Sequence, residues 1–439
     1  MNQVTSEERV PRLAVANQAP MAPVETDLLN QQAGIEAWLQ DQWRATPAPF
    51  YASVDLRNAG YKIAPVDTNL FPAGFNNLNR DMYDWCTKAI QSVMQRICPH
   101  AKSLLIIPEN HTRNQFYLEN LAALHHIIQQ AGYDVRIGSL VIEEPTTFEL
   151  PSGRTLLLEP VQRIGHRIQL DQFNPCSVLL NNDLSSGRPA ILENLEQTLL
   201  PPLALGWNKR LKSNHFAQYR DLVQEFSREV GIDPWLMDPL MRNCGAVNFI
   251  KREGMECLEH HVENLLAQIQ QKYNEYGIQH KPMVFVKADA GTYGMGVMSI
   301  SDVSQLQSLN RKQRTKMDAT KEGQKVSSVI IQEGVYTTET VDHSTAEPVI
   351  YMIDQYVVGG FYRLHNSKSN SESLNSPGMR FQPMPFAQAP EKLLAGQVTF
   401  KPDTHSQDPD RFYAYGVIAR LAMLAAAREI ALAKQEEAA

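Results

Sequence analysis

The chain has 439 residues, 43% hydrophobic and 20% charged, with a formal net charge of −7. That length exceeds what one hydrophobic core supports, so several subdomains are expected. The acidic balance, without any basic block, argues against nucleic acid as a partner. No apolar run approaches the roughly 20 residues that cross a bilayer, so no membrane segment is expected. The opening MNQVTSEERVPR is too polar for a secretory signal. Five cysteines, Cys86, Cys98, Cys176, Cys244 and Cys257, are odd in number and contain no CxxC pair. They suit a reducing, cytoplasmic setting better than a disulfide framework and form no zinc pattern. His260 and His261 beside Cys257 read as helix-surface residues.

Residues 1–25 mix Pro, Ala, Gln and charge without period and read as a loose tail. Residues 27–44 carry Leu28, Leu29, Ile35, Leu39 and Trp43 at helical spacing, with Asp27 as N-cap. Residues 50–78, FYASVDLRNAGYKIAPVDTNLFPAGFNNL, combine short apolar runs with Asp55, Arg57, Lys62, Asp67, Asn69, Asn76 and Asn77. That density of Asn, Asp and Gly predicts irregular loops. They read equally well as a small-molecule site or as self-capping surface turns. Residues 80–98 predict a helix closed by Pro99.

Residues 103–107, the loop PENHTRNQ, a helix over 116–131, Gly132 and a strand over 133–137 make a βαβ unit of a parallel sheet. Ligands sit at the carboxyl ends of such strands, which makes Glu109, His111, Arg113 and Asn114 candidates. Asn114 or Thr112 serves equally well as a helix cap. A second strand, 177–180, runs into NNDLSSGRPAIL and brings Asn182 and Asp183 to a similar position. Helices are predicted over 190–199, 216–230 and 256–276, the first broken by two prolines in 200–205.

Residues 283–300, MVFVKADAGTYGMGVMSI, say most about function. A strand ends in Lys287, a loop carries Gly291, Gly294 and Gly296, and Val297 begins a second strand. Glycine lets backbone N–H groups approach anionic oxygens, and the lysine adds a point charge for the same phosphates. A Walker A loop puts its lysine after the glycines, and a dinucleotide fingerprint lies between a strand and a helix, so neither fits. An ordinary glycine-rich hairpin with a surface lysine is the bland alternative. Beyond it lie a helix over 302–309, a charged stretch over 311–325 without an apolar face, strands over 329–331, 348–354 and 356–364, a polar loop over 366–376, and a final Ala- and Leu-rich helix over 411–435.

Lysine followed by glycines on a β-hairpin resembles the ATP-grasp enzymes. About forty residues on, a strand ends in Gln332-Glu333-Gly334-Val335, with Glu339 beyond it. In the order FYASVDLRNAGYKIAPVDTNLFPAGFNNL, NNDLSSGRP, PPLALGWNKRLKSNHF, KADAGTYGMGV and LNSPGM, the pieces from about 50 to 380 look like the proteobacterial glutamate–cysteine ligases of ATP-grasp type. The resemblance implies an ATP-grasp-like α/β fold, with an N-terminal parallel-sheet domain and C-terminal nucleotide-clamping subdomains. It also implies ATP-dependent joining of L-glutamate to L-cysteine through γ-glutamyl phosphate, with Mg²⁺. By that match Lys287 and Arg363 are catalytic. Gly291, Thr292, Tyr293, Gly294, Met295, Gly296, Gln332, Glu333, Val335 and Glu339 bind nucleotide, with Glu339 on the ribose. Glu372 and Asn375 bind metal, with Asp354 and Glu347 as rivals. Arg57, Asp67, Asn69, Asn76, Asn77, Glu109, Arg113, Asn182 and Asp183 are the substrate-binding candidates. Lys212 and His215 read as surface or interface residues.

The corresponding division is a tail and helix over 1–47, a substrate domain over 48–205, a helical connection over 206–280 and a nucleotide-binding region over 281–439. The alternatives are another ATP-grasp ligase, such as a glutathione synthetase or D-alanine ligase type, and a non-catalytic nucleotide-binding regulator.

Overall fold

A computed structural model describes residues 10–11, 21–290, 296–318, 326–386 and 411–438. The chain opens with helices α1 (Pro23–Asn30) and α2 (Gln32–Ala45), strands β1 (Tyr51–Asn58) and β2 (Ile63–Asn69), and helix α3 (Tyr83–Ile97). The βαβ unit is β3 (Ser103–Pro108), α4 (Gln115–Gln130) and β4 (Asp134–Ser139). Short strands follow: β5 (Thr146–Glu149), β6 (Thr155–Pro160), β7 (Gln162–Ile164), β8 (Arg167–Gln169), β9 (Ser177–Asn181) and β10 (Thr198–Leu200). Next come α5 (Lys212–Val230), β11 (Met241–Gly245), α6 (Met255–Glu275), β12 (Val284–Ala288), β13 (Val297–Ile300), α7 (Ser304–Gln307) and α8 (Arg311–Asp318). The last elements are β14 (Ser328–Glu333), β15 (Thr340–Val341), β16 (Ser344–Ile353), β17 (Tyr356–His365), β18 (Arg380–Pro383) and α9 (Arg411–Ala438).

Three sheets position the site. The first runs β10-β9-β3-β4-β6-β5 and is parallel except at its β5 edge. Its central strands are continuous apolar runs because both faces are covered. The second is antiparallel, in the order β11-β14-β12-β13. The third is antiparallel, β18-β17-β16-β1-β2, with β15 beside β16.

The third sheet is the frame of the molecule. Ala52, Val54, Leu56, Ile350 and Met352 on one face join the same core as α9. Residues 412–427 of α9 are buried all round, as a helix apolar on every side must be. Its one deeply buried cation, Arg420, forks onto Glu36 at 2.7 and 2.9 Å. The opposite face is apolar at one end, where Tyr51, Val349, Tyr351 and Phe361 share a core with α3 residues, and ionic at the other.

Several expectations change. Residues 50–78 are not irregular throughout: β1 and β2 fill most of the first twenty positions. Asp55, Arg57 and Asp67 read as loop residues because their counter-ions lie far away in sequence. The first helix is two, broken at Gln31, and Pro23 at its first position replaces Asp27 as the start. Residues 190–199 form a 3-10 turn (Ala190–Leu192) and the strand β10 rather than a helix. The charged stretch from 311 does form a helix, α8, whose Met317 is buried; residues 319–325 lie outside the described residues. Val10, inside the expected loose tail, is 2% exposed and packs against Gly416 of α9.

Candidate active site

Lys287 lies on β12, where the backbone register places Ile330 opposite it and Gln332 opposite Phe285. Successive residues of a strand alternate faces, so Phe285, Lys287 and Gln332 share one. The Lys287 ammonium donates to the Val66 carbonyl oxygen at 3.0 Å and to Gln332 Oε1 at 2.7 Å. The first bond reaches across to β2, so Lys287 bridges the second and third sheets. Burial, with Lys212 and Arg57 nearby, brings its pKa down to about 8 against the pull of Asp67 and Asp55.

Opposite it, the third sheet presents alternating charges. Register places Asp55 against Asp67 and Glu347 against Arg363. Arg363 meets Asp55 at 2.7 Å and Glu347 at 2.6 Å. Glu347 also accepts from Arg57 Nε at 3.1 Å. Lys212, at the start of α5, holds Asp67 at 2.9 Å and lies 4.0 Å over the Trp207 ring. Burial pushes the Asp55 carboxyl up, against Arg363. Burial also works against ionised Asp67 and Glu347, but cations outweigh it, chiefly Lys212 and Lys287 for Asp67 and Arg57 and Arg363 for Glu347, and both end below the ordinary range. Burial works against the Arg363 charge, but Asp55 and Glu347 outweigh it and hold the guanidinium protonated.

Among the described residues, Gln332 Nε2 and Arg363 Nε are buried donors without a hydrogen-bond partner. An unmet buried donor costs about 1–3 kcal/mol, so such groups point to an acceptor supplied from outside the chain. A cavity of about 450 Å³ is lined by Phe285, the register partner of Gln332, with Met298, Lys316, Lys368, Glu372 and Asn375 among others.

The other candidates fall into separate places. Arg57 is spent structurally: besides Glu347 it donates to the carbonyls of Val335, Asn370 and Glu372, tying β1 to the 366–376 loop. Glu372 is bonded by Lys368 at 2.8 Å and by Ser369 N at 2.9 Å, and these bonds hold its carboxyl down to about 2. Glu333 turns its side chain away, into a buried pair with Lys62 at 2.7 Å. Glu339 faces α9, bonded to Tyr415 and to Asn58. Asp354 binds Arg96 at 2.6 Å and Ser92 at 3.2 Å, both on α3. Asn69 caps Phe71, and Asn76 and Asn77 lie half-buried in a 3-10 turn. Glu109 meets His111 at 2.6 Å, while Arg113 is exposed. Asn182 bonds Pro108 and Leu184, and Asp183 accepts from Ser185 N. Gly296 takes φ +62°. Gly291, Thr292, Tyr293, Gly294 and Met295 lie outside the described residues.

Sequence reasoning missed Asn120 and Asn181. Asn120 accepts from Gly74 N and Phe75 N at 2.8 and 2.9 Å, and donates to Asn181, which donates on to the Pro72 carbonyl. Together they fasten the 72–77 loop to the parallel sheet. Lys212 was underrated. Its one available signal was its place in the KRLKSNHF piece, where a helix start follows a tryptophan.

Among the described residues, no group of three or more His, Cys, Asp and Glu side chains is gathered for a metal. Magnesium rarely needs one, since it is held by one or two carboxylates and by substrate phosphates.

The sequence matches the glutamate–cysteine ligase family over residues 25–430. The chain belongs to that family. A glutamate–cysteine ligase forms γ-glutamylcysteine with ATP, and that is the activity of this chain. Among solved structures, it is 52% identical, at a TM-score of 0.84, to a protein of Methylobacillus flagellatus KT assigned as a gamma-glutamylcysteine synthetase, covering 98% of this chain and 99% of that one. A glutathione synthetase-like effector of Globodera pallida is 11% identical at a TM-score of 0.36, covering 81% of this chain and 83% of that one. D-alanyl-alanine synthetase A of Vibrio cholerae is 10% identical at 0.30, covering 73% and 81%. Those two likenesses are too remote to bear on the site. No curated protein matches. The ligase is a mixed α/β protein built on several sheets, and it shares its fold with the Methylobacillus protein over nearly the whole of both chains.

Proposed function

We propose that the ligase works between the second and third sheets, with Lys287, Arg363 and Gln332 as the groups that meet ATP. A carboxylate is a poor electrophile toward an amine because oxide is a poor leaving group. A γ-carboxylate oxygen of glutamate therefore attacks the γ-phosphorus of ATP, and ADP departs. The amine of cysteine then adds to the acyl carbon, and phosphate leaves. Phosphoryl transfer is promoted mainly by position and charge. Lys287 and the unmet Nε of Arg363 supply that charge, and the unmet amide of Gln332 donates to the nucleotide. The observation that carries this reading is the pair of buried donors without a partner among the described residues, one of them on the Gln332 side chain that Lys287 binds.

Glu372 stays ionised and lines the cavity with Asn375, so the pair fits a hydrated cation bound together with phosphate oxygens. Mg²⁺ held there would neutralise phosphate charge. Asp354, committed to Arg96, is left out, as is Glu339 for the ribose. Among the described residues no helix is long and apolar enough to cross a membrane; a cytoplasmic setting is inferred from five unpaired thiols. The test is the mass of the product from ATP, glutamate and cysteine. Sustained turnover of ATP to ADP is expected only when both amino acids are present; sustained turnover at the full rate with either alone, or with D-alanine in their place, overturns the assignment.

Lys287 also sets a pH dependence. Its ammonium is the form that binds phosphate, and in the free enzyme it is lost as pH rises through about 8. The value of kcat/KM for ATP is expected to fall above that pH, and the limb in kcat to lie higher because bound triphosphate raises the pKa. Lys287→Arg should remove the limb. An unchanged limb in that variant assigns the titration to another group.

No protein nucleophile is required. An enzyme with all five cysteines replaced by serine is therefore expected to lose stability at the buried Cys86 and Cys244, while the folded fraction retains kcat within about threefold. Complete loss in a variant with native circular dichroism would reveal a covalent step.

A further inference from the structure

Cys244 and Cys257 are apart from the reaction described above, and their sulfurs approach to 3.1 Å as free thiols. Cys244 is the last residue but one of β11, where it faces Val329 of β14; Cys257 lies in the first turn of α6. The approach is built by the backbone between them. Asn248 N donates to Glu253 O at 3.0 Å and Glu253 N returns to Asn248 O at 3.1 Å, closing a small loop. Gly254 turns the chain into α6 at φ +73°, with the Ala246 carbonyl oxygen only 2.6 Å from where a Cβ would stand. A side chain there would collide with backbone, so the close return of α6 onto β11 needs this glycine. The thiols are therefore neighbours by construction. About 1 Å of closure separates them from the bonded distance of ~2.05 Å.

We infer that Cys244 and Cys257 form a thiol–disulfide exchange site, oxidised to an internal disulfide by low-molecular-weight disulfides such as that of the enzyme's own substrate thiol. The step balances within thiol chemistry. The Cys257 thiolate, on the exposed side, attacks a disulfide R–S–S–R, forming a mixed disulfide and releasing one RS⁻. Cys244 gives up its proton to solvent and attacks the Cys257 sulfur, and a second RS⁻ leaves. Two protein thiols are oxidised, and one small disulfide is reduced to two thiols. Cys244 is buried beside Cys257, and both facts push its thiol up to about 12. It is thus the slower, resolving partner, and Cys257 the entry point. The bond would fasten the start of α6 to the edge of the sheet that carries Lys287 and Gln332.

Full-length enzyme is incubated with hydroxyethyl disulfide or L-cystine, remaining thiols are alkylated under denaturing conditions, and intact mass and peptides are measured. The expected result is the loss of two hydrogens with a cross-linked peptide joining the Cys244 and Cys257 segments, reversed by dithiothreitol. Closing so short a loop should also raise Tm by about 2–5 °C. Cys244→Ser is expected to stop at a stable mixed disulfide on Cys257, and Cys257→Ser to leave residue 244 unmodified. Two alkylated thiols in the wild type, a mixed disulfide that persists there, or a link from Cys257 to another cysteine each overturns the inference. All are read on the wild-type protein, so a poorly folding variant does not cloud them.

Discussion

Replacing Lys287 with alanine is expected to lower kcat by about 10²-fold or more, the scale for one preorganised stabilising group in a closed site. The reason lies in the charge around it. Asp55, Asp67 and Glu347 already bring three carboxylates to the region proposed above to receive the triphosphate. Arg363 is shared between two of them, Arg57 is spent on Glu347 and three carbonyls, and Lys212 is spent on Asp67. Lys287 alone among these cations touches only neutral oxygens, those of Val66 and Gln332. Its positive charge is thus the one most available to phosphate. Burial already disfavours its charged form, so its removal should leave thermal stability close to that of the parent. Loss of turnover at unchanged Tm is the expected signature. Near-normal ATP-dependent ligation by Lys287→Ala would take this residue out of the chemistry.

Lys62→Met is the change expected to damage the fold most. The Lys62–Glu333 pair, 2.7 Å apart, is 0% and 1% exposed. The ammonium sits 4.4 Å over the Trp235 ring, while Glu333 also accepts from Trp235 Nε1 at 3.2 Å and from Leu240 N at 3.1 Å. Removing the cation alone leaves a carboxylate buried next to Asp238, itself pushed up to about 6 by burial. Breaking one side of such a pair costs about 3–5 kcal/mol. Methionine nearly fills the lysine volume, so little of that cost comes from a cavity. Urea unfolding of Lys62→Met, Glu333→Met and the double variant would measure it. The double variant is expected to recover part of the loss, because no lone charge then remains. A single variant within about 1 kcal/mol of the parent would mean that water reaches the site.

The strands of the βαβ unit, β9, the β12–β13 hairpin, β14, β16 and β17 were legible in the residues, because a parallel-sheet strand is an unbroken apolar run and a βαβ unit changes period where it changes element. The placing of Lys287 and Gln332 on strands was legible too, since the pattern there is local. What could not be read was partnership. Asp55 and Arg363 are 308 residues apart, and Lys287 reaches a carbonyl 221 residues away. No spacing rule links such positions, so β1 and β2 read as polar loops when they are strands with one ionic face. For the same reason Arg57 read as a substrate clamp, although its guanidinium closes the 366–376 loop onto β1. Glu339 was carried over from the family resemblance by its place after β14, but the side that it faces depends on α9, which arrives more than seventy residues later.

The third sheet joins strands from both ends of the chain, which matters while the protein is being made. Arg57 must wait for Glu347, 290 residues behind it. At roughly 5–20 residues per second that wait lasts about 15–60 s on the ribosome. Throughout it β1 and β2 would stand as a two-stranded ribbon, a unit marginal by itself, with an open edge and apolar residues that α9 later helps to cover. The parallel sheet can close earlier, from residues already emerged. Nascent chains of this ligase should therefore depend on holding factors until the last helix is released, and losing α9 should yield aggregation rather than a shortened but soluble enzyme.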